Sequence, residues 1–352
     1  MSIYETSHEN SISIERRGKY RQITSLVAST ALLGAVLGGC SSKEDTSPQP
    51  PDMPERNAPT SAPFSLDTNE AYFNDVASMQ DYTDDPQTRE HLDILMDVPV
   101  AEWLFDSSEK TKTSLNSALE KSQQAGTIPL FVAYNIPGRD VGGYSTGGTE
   151  SATDYSEWVS TISQTIDDQP AVVVLEPDAL PHLPELGDAA ADERTTLLAD
   201  ALDTFHDNEQ TAVYLDAGNS GWLPPDEMAQ LLKKVAAKTK HGLSGISLNV
   251  ANFISADDTA AYAQAIQQAY GDDLYVLIDS SRNGAPEAIP TGAWCNPEGQ
   301  RLGEIDPDFT SDAAVEQAFI KTPGQSDGEC GIGSKPAGEF DGELLFHQLG
   351  DR

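Results

Sequence analysis

Ala171-Val172-Val173-Val174-Leu175-Glu176-Pro177-Asp178-Ala179-Leu180 is the stretch from which this 352-residue sequence is best read. Its apolar half, rich in β-branched valine, predicts a strand buried on both faces, as the strands of a parallel sheet are. Pro177 cannot donate to a ladder and biases Glu176 toward an extended backbone. The strand therefore stops there and leaves two carboxylates, Glu176 and Asp178, at its carboxyl end. In α/β barrels that end carries the catalytic groups. A carboxyl group fixed beside apolar strand ends is desolvated, which favours its protonated form near neutrality. Asp178 is therefore the candidate general acid; the plainer alternative is an ordinary polar turn after a core strand.

Working outward, apolar runs at 100–105, 128–134, 212–215, 245–250, 274–278 and 318–321 read as further strands. Helical patterns at 109–124, 156–167, 194–207, 225–238 and 257–270 separate the earlier ones. Repeated β-α units without hairpin turn signals imply a parallel sheet. Seven such strands in one domain predict an α/β fold: a distorted seven-stranded parallel (β/α) barrel, TIM-barrel-like and closed or nearly so. A doubly wound open sheet is the alternative. No Gly-rich phosphate loop follows any strand, which argues against that class and against a nucleotide cofactor. No His, Cys and carboxylate cluster has ligand spacing, so no metal is expected.

The strand ends share one chemistry. The second runs into Tyr134-Asn135-Ile136-Pro137-Gly138-Arg139-Asp140, followed by a glycine-rich loop with Tyr144, Ser145 and Thr146. The fourth ends Asp216-Ala217-Gly218-Asn219-Ser220-Gly221-Trp222, the fifth Asn249-Val250-Ala251-Asn252-Phe253 and the sixth Asp279-Ser280-Ser281-Arg282-Asn283-Gly284. Lys321 closes the seventh, with Asp327 close behind. Carboxylates and amides bind hydroxyls, and Trp faces stack on pyranose rings. Singly, each feature is explained by helix capping, turns or core packing. Repeated at five strand ends, the same set points to a carbohydrate.

Those blocks, with Trp294-Cys295-Asn296-Pro297 and Ser326-Asp327-Gly328-Glu329-Cys330, resemble in order the blocks of glycoside hydrolase family 6, from about residue 63 to the C-terminus. The resemblance implies a cellulase that cuts β-1,4-glucan with inversion on a distorted seven-stranded barrel. It implies Asp178 as general acid, with Asp140 supporting it, raising its pKa and helping to organise the catalytic water. Ser145 or Thr146 would offer a hydroxyl to that water. Tyr134 falls beside the distorted sugar, and Asp327 on the aspartate proposed as base. Trp103, Asp216, Trp222, Arg282, Trp294 and Lys321 fall on substrate-contacting positions, and Asn252 joins them as a strand-end amide. Inversion needs an acid on one side of the bond and an activated water on the other. The resemblance also implies a disulfide between Cys295 and Cys330.

Three departures stand out. Val141 occupies a position where the family often has a disulfide cysteine, and its partner is missing too. Asn219 replaces a histidine common in the leaving-group site; an amide still bonds a hydroxyl. Gln325 replaces a glutamate, exchanging a charged acceptor for a neutral one. The segment after Asp327 and the glycine-rich loop after Asp140 are short, which predicts an open cleft and internal cleavage; an exo-acting cellobiohydrolase and a non-catalytic glucan-binding lipoprotein are the alternatives.

Ahead of these blocks, Arg16, Arg17, Lys19 and Arg21 precede a charge-free run ending Leu37-Gly38-Gly39-Cys40, the pattern of an export signal with a lipoprotein-type cysteine. Residues 1–39 are read as the signal peptide, 40–63 as lipidated Cys40 with a Pro-rich tether, and 64–352 as the catalytic domain. The expected location is extracellular, at the cell surface, with the membrane touched only through the lipid. A formal charge of −36 repels nucleic acid and anionic headgroups and suggests adaptation to high salt. An uncharged polymer, β-1,4-glucan, is the expected partner of a monomeric enzyme.

Overall fold

The computed structural model describes residues 64–66, 68–305 and 315–350. All of them fall within one unit of the chain, Met53–Arg352. The expected export signal, Cys40 and the tether lie outside the described residues.

Seven strands form one sheet in simple chain order, every pair parallel. They are β1 (Glu102–Leu104), β2 (Leu130–Ala133), β3 (Ala171–Leu175), β4 (Thr211–Asp216), β5 (Gly245–Leu248), β6 (Tyr275–Asp279) and β7 (Val315–Ala318). Helices α1 (Glu70–Met79) and α2 (Pro86–Leu95) precede β1. The first five crossovers carry α3 (Ser108–Ala125), α4 (Ala152–Ile166), α5 (Asp188–His206), α6 (Pro225–Ala236) and α7 (Ala256–Tyr270), and α8 (Gly342–Leu349) follows β7. Local chemistry sets these boundaries. In α6, Pro225 opens the helix, Asp226 and Glu227 sit in the first turn, and Lys233 and Lys234 in the last, each complementing the helix dipole. In α7 the Ser255 hydroxyl accepts from the Asp258 N–H, and Gly271 stops the helix at φ 90°.

A strand alternates its side chains between two faces. Phe131, Val173, Leu175, Leu215, Ile246, Leu248, Val276 and Ile278 face the helices, where they meet Trp158, Ile162, Leu198, Leu232 and Ile266. Leu130, Val132, Val172, Val174, Tyr214 and Leu277 fill the inside of the curled sheet. Each such side chain taken out of water contributes about 1.5–3 kcal/mol. Carried to the carboxyl ends, the inward series reaches Tyr134, Asp216, Ser247 and Asp279. The polar rim of the barrel follows from alternation alone.

Closure is incomplete. Just before β1 and just after β7 the chain makes one parallel bridge, Val100 with Phe319, where the Ala101 N–H donates to the Phe319 carbonyl at 3.0 Å. Beyond it the Trp103 indole N–H reaches the Ile320 carbonyl at 2.8 Å. The strands therefore form a curled sheet with a seam rather than a sealed barrel.

The differences from the sequence reading have local causes. The last strand, expected at 318–321, is Val315–Ala318, because Asp279 draws the Ile320 and Lys321 N–H groups to its carboxylate and turns the chain away. The fifth strand stops at Leu248 rather than residue 250, since Asn249 has φ 64° and bonds Ile254 and the Asp279 carbonyl. Glu176 is not extended as Pro177 would favour: it has φ 50°, which turns its carboxylate back onto β2. Helices α1 and α2, before the first recognisable strand, were not anticipated.

Candidate active site

The turn after β3 presents Asp178 in the left-handed region, at φ 70°. A non-glycine residue held there costs about 1–3 kcal/mol and marks a position that the surroundings over-determine. Two buried carboxylates do so. Glu176, fully buried, accepts from the Asn135 N–H at 2.9 Å and the Ile136 N–H at 3.1 Å, tying the ends of β2 and β3 together. Asp216, also fully buried, accepts from the Asp178 N–H at 3.0 Å, the Gly218 N–H at 3.1 Å and the Ser247 hydroxyl at 3.2 Å.

Asp178 itself is only partly buried, and among the described residues no group hydrogen-bonds its carboxyl. Burial pushes its pKa up to about 7, and the neighbouring Asp216 adds to the rise; His182 and Lys321 oppose it, and Asp140 contributes a smaller increase. Burial raises Asp216 as well. Two adjacent carboxyls share their protons. Asp216 has three donors aimed at it and Asp178 has none on its carboxyl, so the proton resides on Asp178. The charge that keeps the acid protonated thus comes chiefly from Asp216, beneath it, and less from Asp140. Asp216 has no exposed surface with which to touch a sugar, which corrects its sequence-based assignment as a substrate contact.

Asp140 stands at the head of the glycine-rich loop at φ 59°, followed by Val141 at φ 41°. Its Oδ2 accepts from the Ser145 N–H at 2.6 Å. The carboxyl lies so close over Gly143 that a Cβ there would be 2.4 Å from Oδ2. Arg139 fastens the loop to β2: its guanidinium donates to the Tyr134 carbonyl at 2.6 Å and the Ser145 carbonyl at 2.9 Å, and lies 4.8 Å from the Tyr134 ring centroid. Tyr134 is nearly buried and meets the Trp103 ring edge-on at 5.4 Å; burial raises its hydroxyl, and Asp178 and Asp140 raise it further.

Asp327 lies in a different environment. Its carboxylate pairs with Arg282 at 2.7 Å and Lys321 at 3.4 Å and accepts from the Asn296 N–H at 3.1 Å. Burial alone would raise its pKa, but Arg282, Lys321 and the Asn296 N–H outweigh burial and hold it below the usual carboxylate range. An anion so paired is a poor proton acceptor. Burial lowers the Lys321 ammonium and Asp327 counteracts that; the ammonium also stands 5.8 Å from the Trp103 ring centroid. Arg282 is fully buried, bonds the Ala251 carbonyl and lies 4.4 Å from the Phe253 ring centroid. It supports Asp327 from below rather than meeting substrate, a second correction. The Cys295–Cys330 disulfide forms and holds Asn296 against residues 326–330.

The remaining predicted positions line the rim. Trp222 packs edge-on against His182 at 4.6 Å, and the Asn219 carbonyl oxygen of the side chain accepts from the Gly221 N–H. Asn252 and Gln325 are partly exposed, and Gln325 donates to the Gly338 carbonyl at 2.8 Å. Ser145 is partly buried and Thr146 exposed beside Asp140. Trp294, 51% exposed, meets Tyr144, 53% exposed, at 6.1 Å, and the Tyr144 ring rests on Gly328, where a Cβ would come within 2.6 Å. The glycine-rich loop therefore reaches across to the Asp327 side.

Three residues have roles that the sequence reading did not assign. Arg139 anchors the loop, His182 props Trp222 within the field of Asp178, and Asp279 accepts four backbone N–H groups, from Ala251, Ser281, Ile320 and Lys321. Asp279 was visible as an inward position at a strand end. Its use as a clip rather than a sugar ligand was not.

The model of the Glycosyl hydrolases family 6 matches residues 63–342. Endoglucanase 1 of Streptomyces halstedii is 36% identical over 262 residues, covering 72% of this chain and 79% of that protein. The probable 1,4-beta-D-glucan cellobiohydrolase C of Aspergillus niger is 29% identical over 278 residues, covering 66% and 60%. Across four similar bacterial endoglucanases the chain spans from 79% down to 53% of their lengths. The structure of the Mycobacterium tuberculosis endoglucanase Cel6, in complex with methyl-cellobiosyl-4-deoxy-4-thio-beta-D-cellobioside, superposes with a TM-score of 0.73 at 31% identity, covering 83% of this chain and 98% of that one. With the family model spanning most of the chain and this geometry at the strand ends, the chain belongs to glycosyl hydrolase family 6 and is a glycoside hydrolase.

Proposed function

We propose that this glycoside hydrolase is an inverting endo-β-1,4-glucanase acting on internal bonds of cellulose or a related β-glucan. Asp178 donates its proton to the glycosidic oxygen. Asp140, steadied by the Ser145 N–H, orders the attacking water with the Ser145 and Thr146 hydroxyls. Asp327 remains an anion that fixes Lys321 at the substrate's edge. Trp103, Trp222 and Trp294 offer ring faces to pyranoses, and Asn219, Asn252 and Gln325 offer amides to hydroxyls. The observation that carries this reading is the free Asp178 carboxyl standing over buried Asp216, a carboxyl held protonated near neutrality and reachable by substrate.

Internal cleavage is supported by the short loops: two aromatic side chains, Tyr144 and Trp294, rather than a long insertion, span the groove. The lipoprotein-type start of the sequence supports an extracellular enzyme tethered at the cell surface through Cys40. The test is viscosity against reducing sugar on soluble substituted cellulose, over a salt series. Viscosity falling ahead of reducing ends is expected; parallel change would instead identify the exo enzyme. Asp178→Asn should lose about 10²–10⁴-fold in turnover, and unchanged turnover would leave only the glucan-binding alternative or a different acid.

A further inference from the structure

The segment 135–138 joins Tyr134, at the end of β2, to Arg139 and Asp140, and two charged side chains hold it at both ends. Glu176 accepts its first two N–H groups, from Asn135 and Ile136. Arg194 takes its last two carbonyls: Nη2 donates to Gly138 at 2.7 Å and to Pro137 at 3.2 Å. An anion on the amide side and a cation on the carbonyl side make all of these bonds charge-assisted. Both clamps belong to the stretch that carries the acid. Glu176 is two residues before Asp178, and Arg194 is on α5, the crossover helix that follows β3. Burial lowers the Arg194 pKa and the Glu176 carboxyl offsets part of that, so the two charges lie within each other's field.

Both legs of the glycine-rich loop rest on the clamped segment. On the outgoing side the Arg139 N–H donates to the Ile136 carbonyl at 3.1 Å; on the returning side Gly148 packs against that same carbonyl and the Thr149 N–H donates to the Asn135 carbonyl at 2.9 Å. Fold stability does not explain the arginine. Arg194 is 6% exposed, yet its Nη1 is buried without a hydrogen-bond partner among the described residues, a waste that folding alone does not favour. Its carbonyl partners need no buried cation either, because Gly138 is exposed and Pro137 half-buried, within reach of water. What the guanidinium supplies and water does not is a fixed position.

We propose that Arg194 is a positioning residue, which together with Glu176 fixes the gap between the proton-donating Asp178 and the water-ordering Asp140. Inversion makes that gap decisive, since a sugar and a water must both fit between the two carboxyl groups. α5 acts as the strut. Leu197, Leu198, Leu202 and Phe205 anchor it in the core beside β3, and Arg194 carries that anchorage across to the loop after β2. Asp140 is thereby placed relative to the acid and not merely relative to its own mobile-looking run of glycines. Arg194 itself is buried and acts only through Asp140.

This inference rests on the inverting-glucanase reading, and its test separates the two. kcat and KM are measured for the full chain, Arg194→Met and Asp178→Asn on a linear cello-oligosaccharide and on a dinitrophenyl cello-oligoside, whose phenolate leaves without a proton. Both substrates need the attacking water; only the first needs the acid. Arg194→Met should lose about 10- to 100-fold in kcat on both, the loss expected when a catalytic group is misplaced by about 1 Å, with KM little changed. Asp178→Asn should instead recover on the dinitrophenyl substrate. Should Arg194→Met not fold, Arg194→Lys, shorter by one bond and without the planar fork, should show a smaller loss of the same kind on both substrates. A kcat per folded enzyme equal to wild type, a loss confined to the oligosaccharide, or a change in KM alone overturns the positioning role and leaves the glucanase reading intact. A wild type that cleaves neither substrate removes both.

Discussion

Replacing Asp216 by asparagine tests the central electrostatic claim. The amide oxygen can still accept from the Asp178 and Gly218 N–H groups, and the NH₂ can donate to the Ser247 hydroxyl, so the turn should be preserved. What disappears is a negative charge under the acid. At an effective dielectric constant of ~20, two neighbouring carboxylates repel by about 3 kcal/mol, equivalent to roughly two pKa units. Because the pair shares its protons, about one unit of that should appear at Asp178. The sign follows from the loss of a neighbour that disfavours the anion: the Asp178 pKa falls. In the wild type, kcat/KM on a neutral soluble β-glucan should decline above pH about 7, where Asp178 deprotonates. In Asp216→Asn that alkaline limb should move about one unit toward acid, with activity well below the limb kept within a few-fold. If the limb stays in place while overall activity falls, Asp216 is only a scaffold for the turn, and burial alone sets the acid.

Further tests address the loop, the ion pair and burial. Gly143→Ala, at an unstrained φ of −72°, should leave the melting temperature almost unchanged yet lower kcat at least tenfold, because its Cβ would displace the Asp140 carboxyl; unchanged kcat would show that the position of Asp140 is unimportant. Arg282→Met should cost about 3 kcal/mol in urea unfolding by depriving buried Asp327 of its closer partner, and a loss below 1 kcal/mol would mean Lys321 alone suffices. Glu102→Gln tests a buried acid whose pKa rises from 4.5 to about 7. Below pH 4.5 the wild-type carboxyl is neutral in both states and costs nothing. Its ionisation penalty accumulates as pH climbs to about 7 and is constant above. The variant should therefore match wild type at pH 4 and exceed it by about 3 kcal/mol at pH 8; a pH-independent difference would refute the burial.

Much of the site was legible because it sits where sequence period and strand end coincide. Val172 and Val174 announce an inward face, and Pro177 announces where the strand must stop, so Asp178 could be placed without coordinates. Asp140, Tyr134 and Asp327 followed from the same strand-end logic joined to family blocks. Asp216 and Arg282 were found as residues but misread in role, because sequence gives the side of a strand and not the depth at which a carboxylate meets its donors. The first helices and the true span of β7 were also hidden. The span of β7 depends on Asp279 capturing N–H groups from residues some forty positions later, an interaction that no local pattern encodes.

By itself the sequence determined the layered α/β architecture of parallel strands and which acids crown them, since side-chain alternation and proline's missing N–H act within a few residues. Tertiary structure alone decided which of those acids holds the proton, which is locked in ion pairs, and that the first and last strands meet through one bridge and the Trp103 indole rather than through a ladder. Those outcomes depend on burial and on charges brought together from distant segments, and neither quantity exists until the chain has folded.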